Sequence, residues 1–315
     1  MNKRHDYIHA PWHKVYLMFN QKLPHKHVRY QKVHKIDEGG ISEIYLAKYS
    51  IPPASYRWVA LKALKPRFAK SNEFINQLER EAQLAASLNH DNIVQIYDFD
   101  HRSIIMEYVQ GLHLKYILNC FTNGIPANMA IYILLRVADA LKYAHQKNIL
   151  HLDIKPQNIL VSLMGGIKIT DFGVARALSD CNSSEYFSGT LNYMAPEQLM
   201  MEELDTRTDI YSLGLIMIEM LTGQPVHSYK SILHARQMIN HGTNIHSKCI
   251  PEELYPVISK CLSNDLSKRY QSMNHFFIDL LERQQQLPSF DRFQMAAFMK
   301  KEFLKKRRNI NDKKK

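Results

Sequence analysis

Cysteine is scarce in this chain. Cys120, Cys181, Cys249 and Cys261 are its only four, too few for a disulfide scaffold at this length. None stands in C-x-x-C spacing, so no zinc cage is suggested, and reduced thiols are expected. Glycine and proline are sparse, 11 and 12 in 315 residues, which excludes collagen-like, low-complexity and wholly disordered sequence. Long apolar runs are missing as well. The longest, residues 210–221, is interrupted by Glu219 and falls short of the ~20 residues that cross a bilayer. The opening stretch, MNKRHDYIHAPWHKVY, has no apolar segment of the kind a secretory signal needs. A cytoplasmic location is the expectation.

Positive charge is in excess. The formal net charge is +11, and it sits at the ends. Residues 1–35 carry eight Lys and Arg against Asp6 alone, and residues 300–315 carry nine against Glu302 and Asp312, which leaves the body slightly acidic. Charge runs at chain ends are commonly solvated. The alternative is attraction to an anionic membrane surface, with peripheral association. No specific nucleic-acid recognition is expected.

Residues 30–110 read as strands with one helix. Short apolar runs occur at EIYLAKY, YRWVALKAL, IVQIYDF and SIIMEYV. Between them SNEFINQLEREAQLAASLN reads as a helix, with Phe74, Leu78, Leu84, Ala85 and Leu88 apolar and Ser71 placed to cap it. From about residue 111 the pattern turns helical. ANMAIYILLRVADALKYAHQ is strongly periodic, and DIYSLGLIMIEMLTG is apolar nearly all round, as a buried central helix ending at Gly223 would be. Two further helices are expected near 252–262 and 272–286. A β-rich unit followed by an α-rich one places a cleft between them, a common site for small ligands.

Five motifs fall in order: IDEGGISEIYLA at 36–47, VALK at 59–62, HLDIKPQN at 151–158, Asp171-Phe172-Gly173, and Ala195-Pro196-Glu197. This series resembles the protein kinase family over residues 30–283. The resemblance implies an α+β bilobal protein kinase fold, with a β-rich N-lobe at 30–110 and a helical C-lobe at 111–283. A basic N-terminal extension (1–29) and a basic, partly helical tail (284–315) flank it. It also implies ATP and Mg²⁺ as cofactors and a protein substrate. DIKPQN and SGTLNYMAPEQ look like the serine/threonine branch, most similar to bacterial members, with Thr190 in the substrate-docking segment.

Phosphoryl transfer needs positioning and charge neutralisation more than covalent participation. By the resemblance, Lys62 binds phosphates and pairs with a helix carboxylate, Glu81 or its neighbour Glu79, with Glu81 fitting the register better. Asp171 and Asn158 supply hard oxygens for Mg²⁺. Asp153 orients the substrate hydroxyl and accepts its proton, and Lys155 stabilises the phosphoryl group. Ile36, Ile44 and Ala60 cover adenine from above and Leu160 from below. Met106 takes the gatekeeper position, and Glu107 and Val109 pair with the base through their backbone.

The chain departs from the family in three places. Of the glycine loop only Gly39 aligns, with Gly40 beside it, while Asp37 and Ser42 replace two glycines. Leu152 stands where many kinases carry an Arg that reads a phosphate on the activation segment. His113 replaces an acid often found near the ribose. A pseudokinase-type nucleotide-binding scaffold is the alternative to an active enzyme, and a small-molecule kinase on a related fold is a third reading. In the tail, Phe290, Phe293, Ala297 and Leu304 recur near helical spacing, with Phe298 beside them and six Lys/Arg at 300–308. Such a helix either packs its phenylalanines on the large lobe or lies apolar face down on an anionic membrane.

Overall fold

The computed structural model describes residues 30–51, 55–172, 191–238 and 249–312, with side chains as far as Lys305. The basic extension 1–29, Cys181, Gly173 and Thr190 lie outside the described residues.

Strands β1 (Tyr30–Glu38), β2 (Ser42–Ile51), β3 (Ser55–Leu64), β4 (Ile96–Asp100) and β5 (Ser103–Glu107) form an antiparallel sheet in the order β1-β2-β3-β5-β4. Side chains alternate between its faces. Val59 and Leu61 join Ala47 and Ile105 on one face, whereas Ala60 and Leu64 join Ile104 and Met106 on the other. The second half of β3 is thus buried on both sides, which is why VALKAL reads as a nearly continuous apolar run. The expected helix is α1 (Asn72–Ala86), which buries Leu78, Glu81, Ala82 and Ala85. Ser71 occupies its N-cap position, but its side chain makes no capping hydrogen bond, and Leu84 faces solvent.

The rest is helical around a small antiparallel sheet of β6 (Gly111–His113), β7 (Ile159–Ser162) and β8 (Ile167–Ile169). Helix α2 (Leu114–Leu118) is followed by α3 (Ala127–Gln146), whose bounds are those of the periodic segment. After α4 (Pro196–Met200) comes α5 (Thr206–Thr222), with every side chain from Thr208 to Leu221 buried. Asp205 caps α5 by accepting from Arg207 N at 2.8 Å. Gly223 ends it at φ 77°, a left-handed conformation that glycine adopts without a Cβ penalty. Helices α6 (Ile232–Met238), α7 (Tyr255–Cys261), α8 (Met273–Gln284) and α9 (Arg292–Asp312) complete the element order.

Helix α9 is docked on this helical lobe. Met295 and Met299 are fully buried, and Phe290, Phe298 and Phe303 pack against the same core. Phe298 meets Phe121 and Phe290 meets Tyr132, each pair with ring centroids 5.7 Å apart. Arg292 Nε donates to Met164 O at 3.0 Å. A Cβ on Gly165 would run into Arg292 O, and Gly165 sits at φ 77°, so the approach of α9 requires glycine there. The packed reading therefore holds for Phe290 and Phe298, while Phe293 and Leu304 are left exposed.

Candidate active site

The two lobes meet at Lys62. Its place in β3, opposite Ile44 and Ile104, puts it on the same face as Ala60 and toward α1. Its ammonium lies 2.6 Å from Glu81 Oε1 and 2.8 Å from Asp171 Oδ1. Glu79, the rival in sequence, points elsewhere and pairs with His101. Burial alone would drive Lys62 toward neutrality, but attraction to Asp171 and Glu81 outweighs it and holds its pKa above the ordinary lysine value. Burial pushes the Glu81 carboxyl up to about 7 against the pull of Lys62. Asp171 is also penalised by burial, yet Lys62 holds its pKa below the usual carboxylate value.

Facing this cradle is the loop 151–158, which ends in a 3₁₀ turn at Pro156–Asn158. Asp153 accepts from Lys155 Nζ at 2.8 and 3.1 Å and from Asn158 Nδ2 at 3.0 Å. Asn158 also donates to Asp153 O, so its amide nitrogen braces the loop and its carbonyl oxygen is the end left for a cation. Thr170 N donates to Asn158 O at 3.0 Å, tying the loop to the strand that delivers Asp171. Leu152 and Asp171 both adopt left-handed φ, 63° and 66°. Non-glycine residues reach that region at a cost of roughly 1–2 kcal/mol each, so the surroundings must hold them there.

Ile44, Ala60, Met106, Val109 and Leu160 fall into one apolar cluster beside Lys62. Ile36 stands apart at the β1 irregularity between Lys35 and Asp37, 40% exposed. Gly39 N donates to Ser42 O within the turn that also holds Gly40. Glu107 carries its side chain to Lys168 at 2.9 Å, and its backbone N donates to Gln95 O at 2.8 Å. His113 caps α2 by accepting from Tyr116 N at 3.0 Å. Among the described residues no cluster of three or more His, Cys, Asp or Glu could hold a metal. Asp171 and Asn158 carry side-chain oxygens of the kind that Mg²⁺ takes.

Comparison with known proteins decides the family. The protein kinase domain description matches residues 30–279. The chain belongs to the protein kinase family. It is 36% identical over 263 residues to serine/threonine-protein kinase PrkC of Bacillus subtilis, covering 80% of this chain and 40% of that protein. Serine/threonine-protein kinase PknB of Mycobacterium leprae is 35% identical over 275 residues, covering 82% and 43%. PknB of Mycobacterium tuberculosis H37Rv is 34% identical over 270 residues, covering 80% and 42%. This chain thus spans about two fifths of the length of these relatives.

His151, Glu197 and Gln198 of this kinase stand within the sequence motifs without assigned partners, and neither Asp209 nor Arg269 is singled out by the sequence. Asp209, fully buried on α5, accepts from His151 N at 2.9 Å, Leu152 N at 2.8 Å and His145 at 2.8 Å. Burial would raise its pKa, but these partners keep it low. His151 donates Nε2–H to Thr170 O at 2.9 Å and accepts Asp153 N at Nδ1. Burial lowers its pKa and keeps the neutral form that this pair of bonds needs. Gln198 donates to Leu152 O at 2.9 Å and accepts from Ala195 N at 3.0 Å. Beneath it Glu197 and the buried Arg269 pair at 2.7 Å. The sequence signal for Asp209 was an acid at the start of the apolar run that forms α5.

Proposed function

We propose that this chain transfers the γ-phosphate of ATP to serine and threonine hydroxyls of proteins. The observation that carries it is the facing pair of charge cradles, Lys62 between Glu81 and Asp171 and Asp153 between Lys155 and Asn158. Lys62 takes the phosphates, and Glu81 and Asp171 keep its ammonium charged and aimed. Adenine lies between Ile36, Ile44 and Ala60 on one side and Leu160 on the other, with Met106 behind and the backbone of Glu107 and Val109 at its edge. Gly39 and Gly40 let the turn approach the phosphates. The substrate oxygen bonds to the γ-phosphorus as the bond to the β,γ-bridging oxygen breaks, ADP leaves, and the hydroxyl proton passes to Asp153. Lys155 offsets charge on the transferring group. Mg²⁺, held by Asp171 and Asn158 when bound, would neutralise the phosphates.

The catalytic unit is taken as residues 30–283, divided near 110, with 1–29 and 284–315 as basic extensions. No helix among the described residues is long and apolar enough to cross a membrane. A cytoplasmic enzyme is proposed, its basic ends drawn to an anionic membrane surface and not to specific nucleic acid. Labelling a generic basic protein with γ-labelled ATP tests the activity. Wild type should transfer label, while Asp153→Asn and Lys62→Met should fold and lose at least a hundredfold. Nucleotide binding without transfer in wild type would favour the scaffold alternative. Transfer by Lys62→Met within twofold of wild type would remove Lys62 from the site.

A further inference from the structure

Helix α9 has two different faces. Met295, Phe298, Met299, Glu302 and Phe303 turn toward the lobe, and on the opposite side Phe293, Ala297, Lys300, Lys301, Leu304 and Lys305 are exposed. Phe293 is 82% exposed and Leu304 56%. At 3.6 residues per turn, positions 293, 297, 300 and 304 form one stripe, and its ends stand about 16 Å apart. The acid of this stretch is withdrawn from the stripe. Glu302 is buried and bound to Lys305 at 2.6 Å, so residues 292–305 present no carboxylate on the outer face. Met164, 63% exposed, adjoins the start of the helix, where its carbonyl accepts from Arg292.

We infer that this outer face rests on an anionic lipid bilayer, with Phe293 and Leu304 entering the headgroup boundary and Lys300 and Lys301 meeting lipid phosphates. This deepens, and rests on, the reading of the basic ends as membrane-seeking. Charge complementarity favours an anionic partner, since the face carries lysines and no acid. Its shape favours a flat one. A convex helix with its apolar tips in one line touches a plane along its whole length, as interfacial helices do. A nucleic acid would satisfy the lysines but leave Phe293 and Leu304 without an apolar environment. Because the inner face is already packed, the helix need not leave the lobe to bind, and the contact fixes how the kinase is oriented on the surface.

The test is co-sedimentation of the full chain with phosphatidylcholine vesicles, with and without 30% phosphatidylserine. Wild type should prefer the anionic vesicles about tenfold or more, and added salt should weaken the binding. Phe293→Ser with Leu304→Ser should lower partitioning about tenfold through lost apolar insertion, and Lys300→Glu with Lys301→Glu should lower it at least as much. Both variants should melt within a few degrees of wild type, since these side chains lie mostly in solvent. Should the serine variant melt lower, Phe293→Trp supplies a second measurement, and brominated lipid should quench it beyond the wild-type signal. Binding that the serine variant leaves within twofold, or absence of that extra quenching, overturns the stripe while keeping the basic ends as the attractor. No preference of wild type for anionic vesicles overturns both. Tighter binding to duplex DNA, lost in the glutamate variant and indifferent to Phe293 and Leu304, overturns the lipid assignment.

Discussion

Substituting Gln198 with methionine keeps the length and burial of the side chain and removes both of its hydrogen bonds. Leu152 O and Ala195 N would then lose their partners. A buried backbone group left unpaired costs about 1–3 kcal/mol, so with two such groups the fold should lose roughly 2–6 kcal/mol. The sharper consequence concerns Leu152. Its left-handed φ of 63° is held at the amide by Asp209 and at the carbonyl by Gln198. With one restraint gone, the strain of roughly 1–2 kcal/mol is free to relax and tilt the next residue, Asp153. Misplacing that carboxylate should cut kcat about 10- to 100-fold, equivalent to roughly 1.4–2.8 kcal/mol. KM for ATP should stay within about twofold, because Lys62, Ala60, Met106 and Leu160 do not touch Gln198.

Steady-state kinetics beside a melting curve separates these effects. Gln198→Glu adds a second arm, since it retains the acceptor for Ala195 N but loses the donor to Leu152 O. It should damage kcat as much as methionine does. A methionine variant that melts lower yet turns over normally would make Gln198 a packing residue only. A harmless glutamate variant beside a damaged methionine one would place the effect in the Ala195 bond and refute the argument from Leu152.

Two other predictions concern buried charge. Glu197→Met strands the buried Arg269 guanidinium and should cost about 3–5 kcal/mol, whereas Glu197→Met with Arg269→Met should recover most of it; thermal unfolding in which the double variant is worse than the single would refute this. Burial raises the Glu81 pKa to about 7 from 4.5 unfolded, so its contribution to stability is fully present below about pH 4.5 and is lost as pH rises toward 7. The melting temperature of Glu81→Gln, which cannot titrate, should therefore gain on wild type between pH 5 and pH 7.5, and a trend in the other direction would show that Lys62 outweighs burial.

What the sequence revealed followed periodicity and local chemistry. Helix α3 was legible to the residue because Pro126 precedes its pattern and Lys147-Asn148 follow it, and the end of α5 because Gly223 announces a left-handed cap. The Lys62, Asp153, Asn158 and Asp171 constellation was legible because each lies in a short motif. Contacts across long separations were not. Gln198 meets a backbone oxygen 46 residues away, and no side-chain pattern encodes a carbonyl partner. IVQIYDF read as one strand, but its first residues turn to Ile169, where Val94 N donates to Ile169 O and joins the lobes. In the tail, helical spacing grouped Phe290, Phe293, Ala297 and Leu304 with Phe298 beside them, and only packing separates Phe290 and Phe298, set against the core, from the exposed Phe293 and Leu304.

The same long-range bonds explain how Leu152 is tolerated. An arginine at this position would couple the loop to a phosphate on the activation segment, so that loop order depends on modification. Here the peptide groups on both sides of Leu152 are fastened to helices instead. Asp209 holds the amides of His151 and Leu152 from α5, and Gln198 holds the Leu152 carbonyl from α4. Those helices are themselves locked, since Glu197 on α4 accepts from Arg269 and from Thr208 on α5. Each of these partners is buried and present without any added charge. The backbone that carries Asp153 is thereby held by bonds to the packed core.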